Sequence, residues 1–366
     1  MTDESRDDFH ARAEALVERL ADGGRDDDAR DRLLVELLRW QAARIVPYAR
    51  LVRSRGVDPT RALSPDALPA LPTDVFRFVR VAAHAPGDDL RVFRSSGTTR
   101  ADRSEHCFAD LSLYELAAHA AAKRALFPDV ERMRLIVLAP TEGDAPDSSL
   151  AYMLARFVEW FGTRDSTYVW RNDALDVAAI DAALGAAAAA RTPVALLGTS
   201  FAFVHALDQL EARGSPARAL PQASRLMHTG GFKGRSREVA PAELRARMTA
   251  AFGVADAHIV AEYGMTELSS QLYETTLFEP SARRRLWIPG WMRVTAVDPE
   301  TLAPVAPGEL GILRIDDVAN VDSVAAIQTA DLGRLVDDGV EVLGRAAGAV
   351  PRGCSLAADA ALGGRA

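Results

Sequence analysis

The apolar residues at the start of this chain recur at helical spacing. Residues 4–22 and 27–55 alternate apolar stripes with charged residues, which predicts two amphipathic helices. For 27–55 the alternative is a membrane-surface helix, but the acidic first helix favours a packed helical cap. Prolines at 59, 65, 69 and 72 then interrupt regular structure, so 57–73 is predicted to be a connector.

From about residue 90 to 265, short apolar runs alternate with helical patterns. The predicted strands are 134–139, 166–170, 194–197, 224–227 and 258–261, and the predicted helices are 110–127, 148–162, 174–191, 201–213 and 240–252. Apolar strands that alternate with helices are typical of a largely parallel sheet covered on both faces. The fold class is therefore predicted to be α/β.

The chain after residue 290 is predicted to be rich in β structure. Residues 292–295 and 311–315 are strand-like, and Asp337-Asp338-Gly339 before the apolar run 340–343 indicates a hairpin. We expect a small antiparallel subdomain there, followed by a tail.

Composition excludes several classes of protein. The 366 residues carry a net charge of −8 and contain no block of basic residues, which argues against a nucleic-acid partner. The N-terminus is acidic and does not resemble a signal peptide. No apolar run reaches the roughly 18 residues that a membrane span needs. Cys107 and Cys354 lie far apart, so we expect no disulfide framework and a cytoplasmic location.

Small and polar residues follow three of the predicted strands, at Gly198-Thr199-Ser200, at 228–231 and at 262–267. Ligands of open α/β sheets bind at the carboxyl ends of the strands. Four hydroxyls and a glycine also occur at 95–99. Such a loop can point N–H and O–H groups at an anion, although a surface turn has the same composition.

Five segments occur in the order of the core motifs of adenylate-forming enzymes, the acyl-CoA synthetase and luciferase-like superfamily: Arg94–Thr99, His228–Gly231, Tyr263–Glu267, Ala330–Gly333 and Gly344-Arg345. With Gly230–Gly234 and Arg352–Ser355, the chain from about residue 65 onward more closely resembles bacterial acyl-protein synthetases of the LuxE type. Those enzymes activate long-chain fatty acids.

The resemblance implies an ATP site with Mg²⁺. The loop that would hold the outgoing pyrophosphate consists of Ser95, Ser96, Gly97, Thr98 and Thr99. Thr266 would bond the α-phosphate, and Glu267 would ligate Mg²⁺. Phosphoryl chemistry of this kind needs positioned donors, a carboxylate-held metal ion and a cation. For Glu267 alone, the alternative is an acidic residue in the first turn of a helix.

The same resemblance implies an adenine and ribose side of the site. Its residues would be Gly230 and Gly231 against the base, Tyr263 with Gly264 at the base, Asp331 on the ribose hydroxyls, and Arg345 at the ribose or phosphate. Tyr263 could instead be a core aromatic residue, and 331–333 could be a plain turn.

Two residues are candidates for the chemistry itself. Typical superfamily members carry a further, swinging C-terminal domain with a lysine that contacts the phosphate; only 21 residues follow Arg345, so we expect no full domain of that kind. Lys233 is the candidate replacement cation, with an exposed loop lysine as the alternative.

The resemblance also favours Cys354 as the thiol that accepts the acyl group, since thiolates attack mixed anhydrides readily. The alternative is an inert cysteine, which is how Cys107 is interpreted.

We therefore predict ATP-dependent activation of a carboxylic acid, fatty by the resemblance, as acyl-AMP, followed by acyl transfer to Cys354 and on to an acceptor protein or reductase. A ligase for coenzyme A or a carrier protein is one alternative, and a non-catalytic nucleotide-binding subunit of a reductase complex is another. The predicted segments are a cap and connector (1–73), a nucleotide-binding core (74–289), a β-rich subdomain (290–345) and a tail carrying Cys354 (346–366).

Overall fold

A computed structural model describes residues 4–96, 103–172, 174–215, 217–230, 239–279, 283–337, 339–345 and 352–363, the last range without the side chains of 352–354. The chain forms two compact units. Unit 1 comprises Met1–Ala121, Met265–Leu272 and Arg285–Ala366, and unit 2 comprises Ala122–Gly264 and Tyr273–Arg284.

The helices are α1 (Arg6–Leu20), α2 (Asp27–Arg44), α3 (Val46–Ser54), α4 (Ser112–Ala125), α5 (Ser149–Phe161), α6 (Val177–Ala190), α7 (Ser200–Ala212), α8 (Pro241–Phe252) and α9 (Arg352–Leu362). Short 3-10 helices include Pro59–Arg61, Pro65–Ala67, Thr73–Arg77, Pro86–Asp88 and Asp256–His258. Within the ranges described above, no helix combines the length and the apolar character that crossing a membrane requires.

The strands are β1 (Leu71–Pro72), β2 (Arg91–Arg94), β3 (Glu105–Phe108), β4 (Arg134–Leu138), β5 (Thr167–Tyr168), β6 (Trp170–Arg171), β7 (Ala174–Leu175), β8 (Val194–Thr199), β9 (Arg225–Thr229), β10 (Ile259–Tyr263), β11 (Leu272–Glu274), β12 (Leu286–Trp287), β13 (Met292–Val297), β14 (Gly311–Asp317), β15 (Ala326–Val336) and β16 (Gly339–Arg345).

Unit 2 is built on parallel strands in the order β5-β4-β8-β9-β10. The central strands β4 and β8 are mostly apolar because both faces of the sheet are covered. One face packs against α6, α7 and α8 through a core that includes Leu196, Phe203 and Leu226. On β9, the buried Arg225 pairs with Asp129 at 2.7 and 3.0 Å. The predicted α/β class with its largely parallel sheet is confirmed.

Unit 1 contains a mostly antiparallel sheet in the order β13-β14-β15-β16-β12, to which β1 adds in parallel beside β15. The hairpin predicted at 337–339 joins β15 to β16, where Val336 pairs with Gly339. The helical cap attaches to the connection between β14 and β15. Gln41 of α2, which is fully buried, donates to the Asn320 carbonyl at 2.8 Å and accepts from the Ala325 N–H at 2.9 Å.

The helix predicted over 27–55 is two helices. Ile45 is extended (φ −93°, ψ 103°), and Pro47 stands in the first turn of α3. Proline lacks an N–H and disfavours a preceding helical turn, so α2 ends at Arg44 and α3 restarts the helix. The apolar pattern continues through this break because α2 and α3 both contribute buried side chains, such as Leu38 and Leu51.

The segment predicted only as a tail contains a helix. α9 packs against α3, β1 and the 3-10 helix Thr73–Arg77, all in unit 1. Ala357 and Ala361, one helical turn apart, are buried at 1% and 0% exposure. The third residue of α9 is Cys354.

Candidate functional site

The base of the hydroxyl-rich loop is closed by hydrogen bonds in unit 1. The loop connects β2 to β3, which pair antiparallel. The Ser95 N–H donates to the Ser104 carbonyl at 3.0 Å, and the Ser104 N–H donates to Ser95 Oγ at 2.9 Å. Arg103 Nε donates to the Ser95 carbonyl at 2.6 Å. Ser96 is exposed beyond this closure, while the predicted Gly97, Thr98 and Thr99 lie outside the described residues.

The segment carrying Thr266 and Glu267 is held from two sides within unit 1. His106 on β3 donates from Nδ1 to the Thr266 carbonyl at 2.8 Å. Asn320 donates from Nδ2 to the Glu267 carbonyl at 3.0 Å. Glu267 itself is only 8% exposed. The β2–β3 hairpin and the Thr266–Glu267 segment are thus joined by a direct hydrogen bond that no local sequence pattern indicates.

A second anchor of this segment is a buried carboxyl. Asp317, at the end of β14, accepts from the Ser270 N–H at 2.9 Å and pairs with Ser270 Oγ at 2.8 Å. Burial raises the pKa of Asp317 to about 6, although these hydrogen bonds act in the opposite direction. Residues 266–270 are therefore fixed against β14 and the connection that follows it.

His106 is a neutral ring in a buried site. It is fully buried and lies against Phe108, with ring centroids 4.1 Å apart. Burial lowers the pKa of His106 to about 4, and the bond to the Thr266 carbonyl only partly offsets this shift. Because a carbonyl can only accept, the proton of the neutral ring resides on Nδ1.

The two residues predicted for ribose lie opposite each other in unit 1. Asp331 on β15 pairs in register with Arg345 on β16. Their side chains approach to 3.5 Å between Arg345 Nε and Asp331 Oδ1. The Arg345 side chain is 78% exposed and that of Asp331 is 17% exposed, so a guanidinium and a carboxylate stand together at an accessible sheet end.

The residues predicted for adenine lie at strand ends of unit 2. Gly230 follows β9 with φ +71°, and a Cβ built there would meet no atom of the described residues within 4 Å. Glycine is thus favoured by its backbone conformation, and the space beside it is open. Tyr263 ends β10, followed by Gly264, and both are partly exposed. Gly231 and Lys233 lie outside the described residues.

Two buried polar pairs beside these strand ends were missed from sequence. Ser200 Oγ lies 3.0 Å from His228 Nδ1, and burial lowers the pKa of His228 to about 4. On the neighbouring strands, Glu262 pairs in register with Thr229 and is hydrogen-bonded to its side chain. An acid that directly follows the apolar run 259–261 was the available signal for Glu262.

The two cysteines differ in setting. Cys107 on β3 is 2% exposed, and burial raises the pKa of its thiol to about 11. Arg80 donates to its Sγ at 3.0 Å. Cys354 occupies the first turn of α9. First-turn positions of helices favour negative charge, which is the general condition for a reactive thiolate.

The residues of unit 1 fit a magnesium–nucleotide ligand. Mg²⁺ in phosphoryl-transfer sites uses one or two protein carboxylates and takes its remaining ligands from water and substrate phosphates. Glu267 is a single buried carboxylate on the segment hydrogen-bonded to the hydroxyl-rich hairpin. In the described part of the chain, no group of three or more His, Cys, Asp or Glu residues could enclose a metal on its own.

The fold is that of the adenylate-forming ligases. A structure of 2-hydroxyisobutyryl-CoA ligase, in an open conformation with 2-HIB-AMP and CoA, matches with a TM-score of 0.64 and 13% identity, covering 87% of this chain and 70% of that one. The same ligase in the thioesterification state matches with a TM-score of 0.64 and 14% identity, covering 86% and 68%.

Within that class, the chain belongs to the family of acyl-protein synthetases, LuxE, whose model matches residues 27–363. A curated relative, the long-chain-fatty-acid–luciferin-component ligase of Aliivibrio fischeri, is 24% identical over 272 residues, which are 73% of this chain and 69% of the relative. The predicted family resemblance is confirmed. The chain is an adenylate-forming ligase, an enzyme that uses ATP to form an acyl adenylate and then transfers the acyl group.

The neutral histidine that anchors Thr266 makes stability sensitive to acid. A pKa depressed from 6.5 to about 4 means that His106 contributes fully above pH 6.5 and loses its contribution as pH falls towards 4. His106→Asn keeps an N–H donor but does not titrate. We expect the unfolding free energy of the wild type to fall by up to roughly 3 kcal/mol more than that of the variant between pH 7 and pH 4.

Chemical denaturation at a series of pH values measures this difference. The exposed His205 supplies the control, since His205→Asn should leave the wild-type profile unchanged. Parallel pH profiles for the wild type and His106→Asn would show that the ring does not carry the acid sensitivity.

Proposed function

We propose that this enzyme activates a long-chain fatty acid with Mg·ATP and transfers the acyl group to Cys354, from which an acceptor protein or reductase takes it. Membership of the acyl-protein synthetase family supports transfer to a protein thiol. The name of the Aliivibrio fischeri relative supports a long-chain fatty acid as the substrate.

The observation that carries the proposal is the hydrogen bond from His106 to the Thr266 carbonyl. It links the hairpin that bears the hydroxyl-rich loop to the segment that bears Thr266 and the buried Glu267. A loop that donates to phosphate and a carboxylate that holds a metal ion must be fixed relative to each other if both are to act on one triphosphate. The contact joins β3 to the Thr266–Glu267 segment inside unit 1, which supports the proposal.

In the first step, a carboxylate oxygen of the fatty acid attacks the α-phosphorus of ATP. The bond from the α-phosphorus to the bridging oxygen breaks, and pyrophosphate leaves with that oxygen and its electron pair. Glu267 would hold Mg²⁺, which would supply positive charge against the phosphates. Ser95 and Ser96 donate to the leaving group, Thr266 orients the α-phosphate, and Lys233 neutralises charge that develops on it.

The family resemblance assigns the remaining nucleotide-binding roles residue by residue. In unit 1, the Asp331 carboxylate accepts from the ribose hydroxyls, with the Arg345 guanidinium 3.5 Å away. In unit 2, Tyr263 packs on adenine and the open side of Gly230 receives the base. A diol is well matched to a carboxylate acceptor, as in other nucleotide sites.

In the second step, the Cys354 thiolate attacks the acyl carbon of the adenylate. A carbon–sulfur bond forms, the bond from the acyl carbon to the phosphate oxygen breaks, and AMP leaves with the electron pair. The thiol proton goes to solvent when the thiolate forms. The product is a thioester, which remains reactive enough for transfer to a second nucleophile.

Carboxylate-dependent exchange of labelled pyrophosphate into ATP tests the first step across a panel of fatty and aromatic acids. Intact-mass measurement after incubation with acid and ATP tests the second. We expect exchange with long-chain acids and one added acyl mass that hydroxylamine removes. AMP release that requires coenzyme A or a carrier protein, with no acyl group on the enzyme, would contradict transfer to Cys354. That result would identify the enzyme as a coenzyme A or carrier-protein ligase. No exchange with any acid would reject adenylation.

A further inference from the structure

Glu262 is a carboxyl group buried where the parallel sheet of unit 2 ends. It lies on β10 and is 7% exposed, as is its register partner Thr229 on β9. The two side chains are hydrogen-bonded to each other. This pair is the last rung between β9 and β10, because the register between the two strands ends there.

Among the residues that the structure describes, no charged neighbour compensates Glu262. On β9, His228 precedes Thr229 and is neutral over the physiological range, with a pKa lowered to about 4. On β11, Glu274 is already paired with Arg284 at 2.5 Å, and it accepts the Ala261 N–H at 2.9 Å. The pKa of Glu262 is raised to about 7, first by burial, with the Thr229 hydrogen bond acting against the shift.

Each member of the pair is followed at once by a residue of the proposed adenine site. Thr229 precedes Gly230, and Glu262 precedes Tyr263. We propose that Glu262 in its neutral form is a positioning residue, whose bond to Thr229 fixes the ends of β9 and β10 so that Gly230 and Tyr263 receive adenine. The inference rests on the proposed function and adds a control of nucleotide affinity by pH.

The burial of Glu262 determines the direction in which pH changes nucleotide affinity. A neutral carboxyl can remain buried and keep its hydrogen bond with the Thr229 side chain. Within the described residues, Glu262 has no counter-charge. An ionised carboxylate is then costly to bury, so ionisation draws the Glu262 side chain towards water and weakens its contact with Thr229. At alkaline pH, Gly230 and Tyr263 are therefore held less firmly for adenine. Ionised Glu262 also adds a negative charge near a polyanionic ligand.

Titration calorimetry with ATP and Mg²⁺ from pH 6.0 to 8.5 tests the inference without requiring turnover. For the wild type we expect affinity to fall about fivefold or more across this range. Glu262→Gln is a permanent mimic of the neutral acid, so its affinity should match that of the wild type at pH 6 and change much less at pH 8.5. Glu262→Ala should bind weakly at every pH.

Two further variants separate Glu262 from other titrating groups. Glu131→Gln, at a side chain that is 94% exposed, should reproduce the wild-type profile. Glu274→Gln tests the nearby paired acid, and loss of the pH dependence in that variant alone would transfer the effect to Glu274 and overturn the inference. The same holds if Glu262→Gln follows the wild-type profile.

Failure of this inference and failure of the proposed function give different results. Fatty-acid-dependent pyrophosphate exchange in both the wild type and Glu262→Gln, with the same dependence of the ATP KM on pH, rejects the positioning role and retains adenylation. Conversely, ATP binding that depends on pH only through Glu262, without exchange on any acid, supports the role of Glu262 and rejects fatty-acid activation.

Discussion

Replacing Lys233 by alanine is expected to lower carboxylate-dependent pyrophosphate exchange by about a hundredfold or more, while ATP still binds. The attack of a carboxylate on a triphosphate brings like charges together, and a compact ammonium beside one phosphate oxygen offsets that repulsion in the transition state. An interaction that strengthens only in the transition state affects kcat more than binding. Exchange kinetics and calorimetry on the same variant measure the two effects.

The chain offers a matched control for this experiment. Among its 43 basic Lys and Arg residues, Lys123 is the other lysine. Its ammonium donates to the Val130 carbonyl at 2.9 Å and lies 3.1 Å from Glu131, so it has a structural role near the end of α4. Lys123→Ala should retain exchange, and Lys233→Arg should recover little of it because guanidinium is broad and forked. Near-normal exchange in Lys233→Ala would reject the assigned role.

Replacing Cys354 by alanine is expected to abolish the acyl-enzyme while leaving adenylation intact. Formation of acyl-AMP does not require a thiol, so pyrophosphate exchange should remain within about twofold of the wild type. Acyl transfer has no nucleophile in the variant, and the hydroxylamine-labile mass should disappear entirely. Intact-mass spectrometry after incubation with ATP and a long-chain acid, run beside the exchange assay, distinguishes the two steps.

The other cysteine is the control for the thiol. Cys107 is buried, with a pKa raised to about 11, so it should not carry the acyl group. Cys107→Ala should be acylated as fully as the wild type, at the cost of some stability from the lost packing. A labile acyl group that persists on Cys354→Ala would contradict the assignment of Cys354. Loss of the acyl group in Cys107→Ala would indicate that Cys107, and not Cys354, is acylated.

Local patterns were sufficient to predict the architecture of unit 2. Each predicted strand from 134 to 261 coincides with an observed strand, because strands buried on both faces leave continuous apolar runs such as that of β8, Val194–Thr199. The hairpin at 337–339 was equally predictable, since its turn residues are local to the sequence. The motif order also led to the family, which is confirmed.

Other features could not be predicted because they depend on distant partners. The link from His106 to Thr266 joins residues 160 positions apart, and a lone histidine in a strand does not reveal its acceptor. Glu262 takes its character from burial that only the assembled sheet creates. α9 was missed because its buried face consists of alanines, which contribute almost no hydrophobic periodicity. The roles of the nucleotide-binding residues stay predictions.

The packing of α9 against α3 limits how far Cys354 can move from its position in the fold. An isolated helix of 11 residues is marginal in water, so leaving α3 and unravelling are a single event for this segment. While α9 remains packed, Cys354 stays close to the α9 packing site in unit 1. If α9 unfolded, the eight residues between Arg345 and Cys354, which make nine Cα–Cα steps, would span about 30 Å at full extension. The packing of α9 through Ala357 and Ala361 therefore limits how far Cys354 can move.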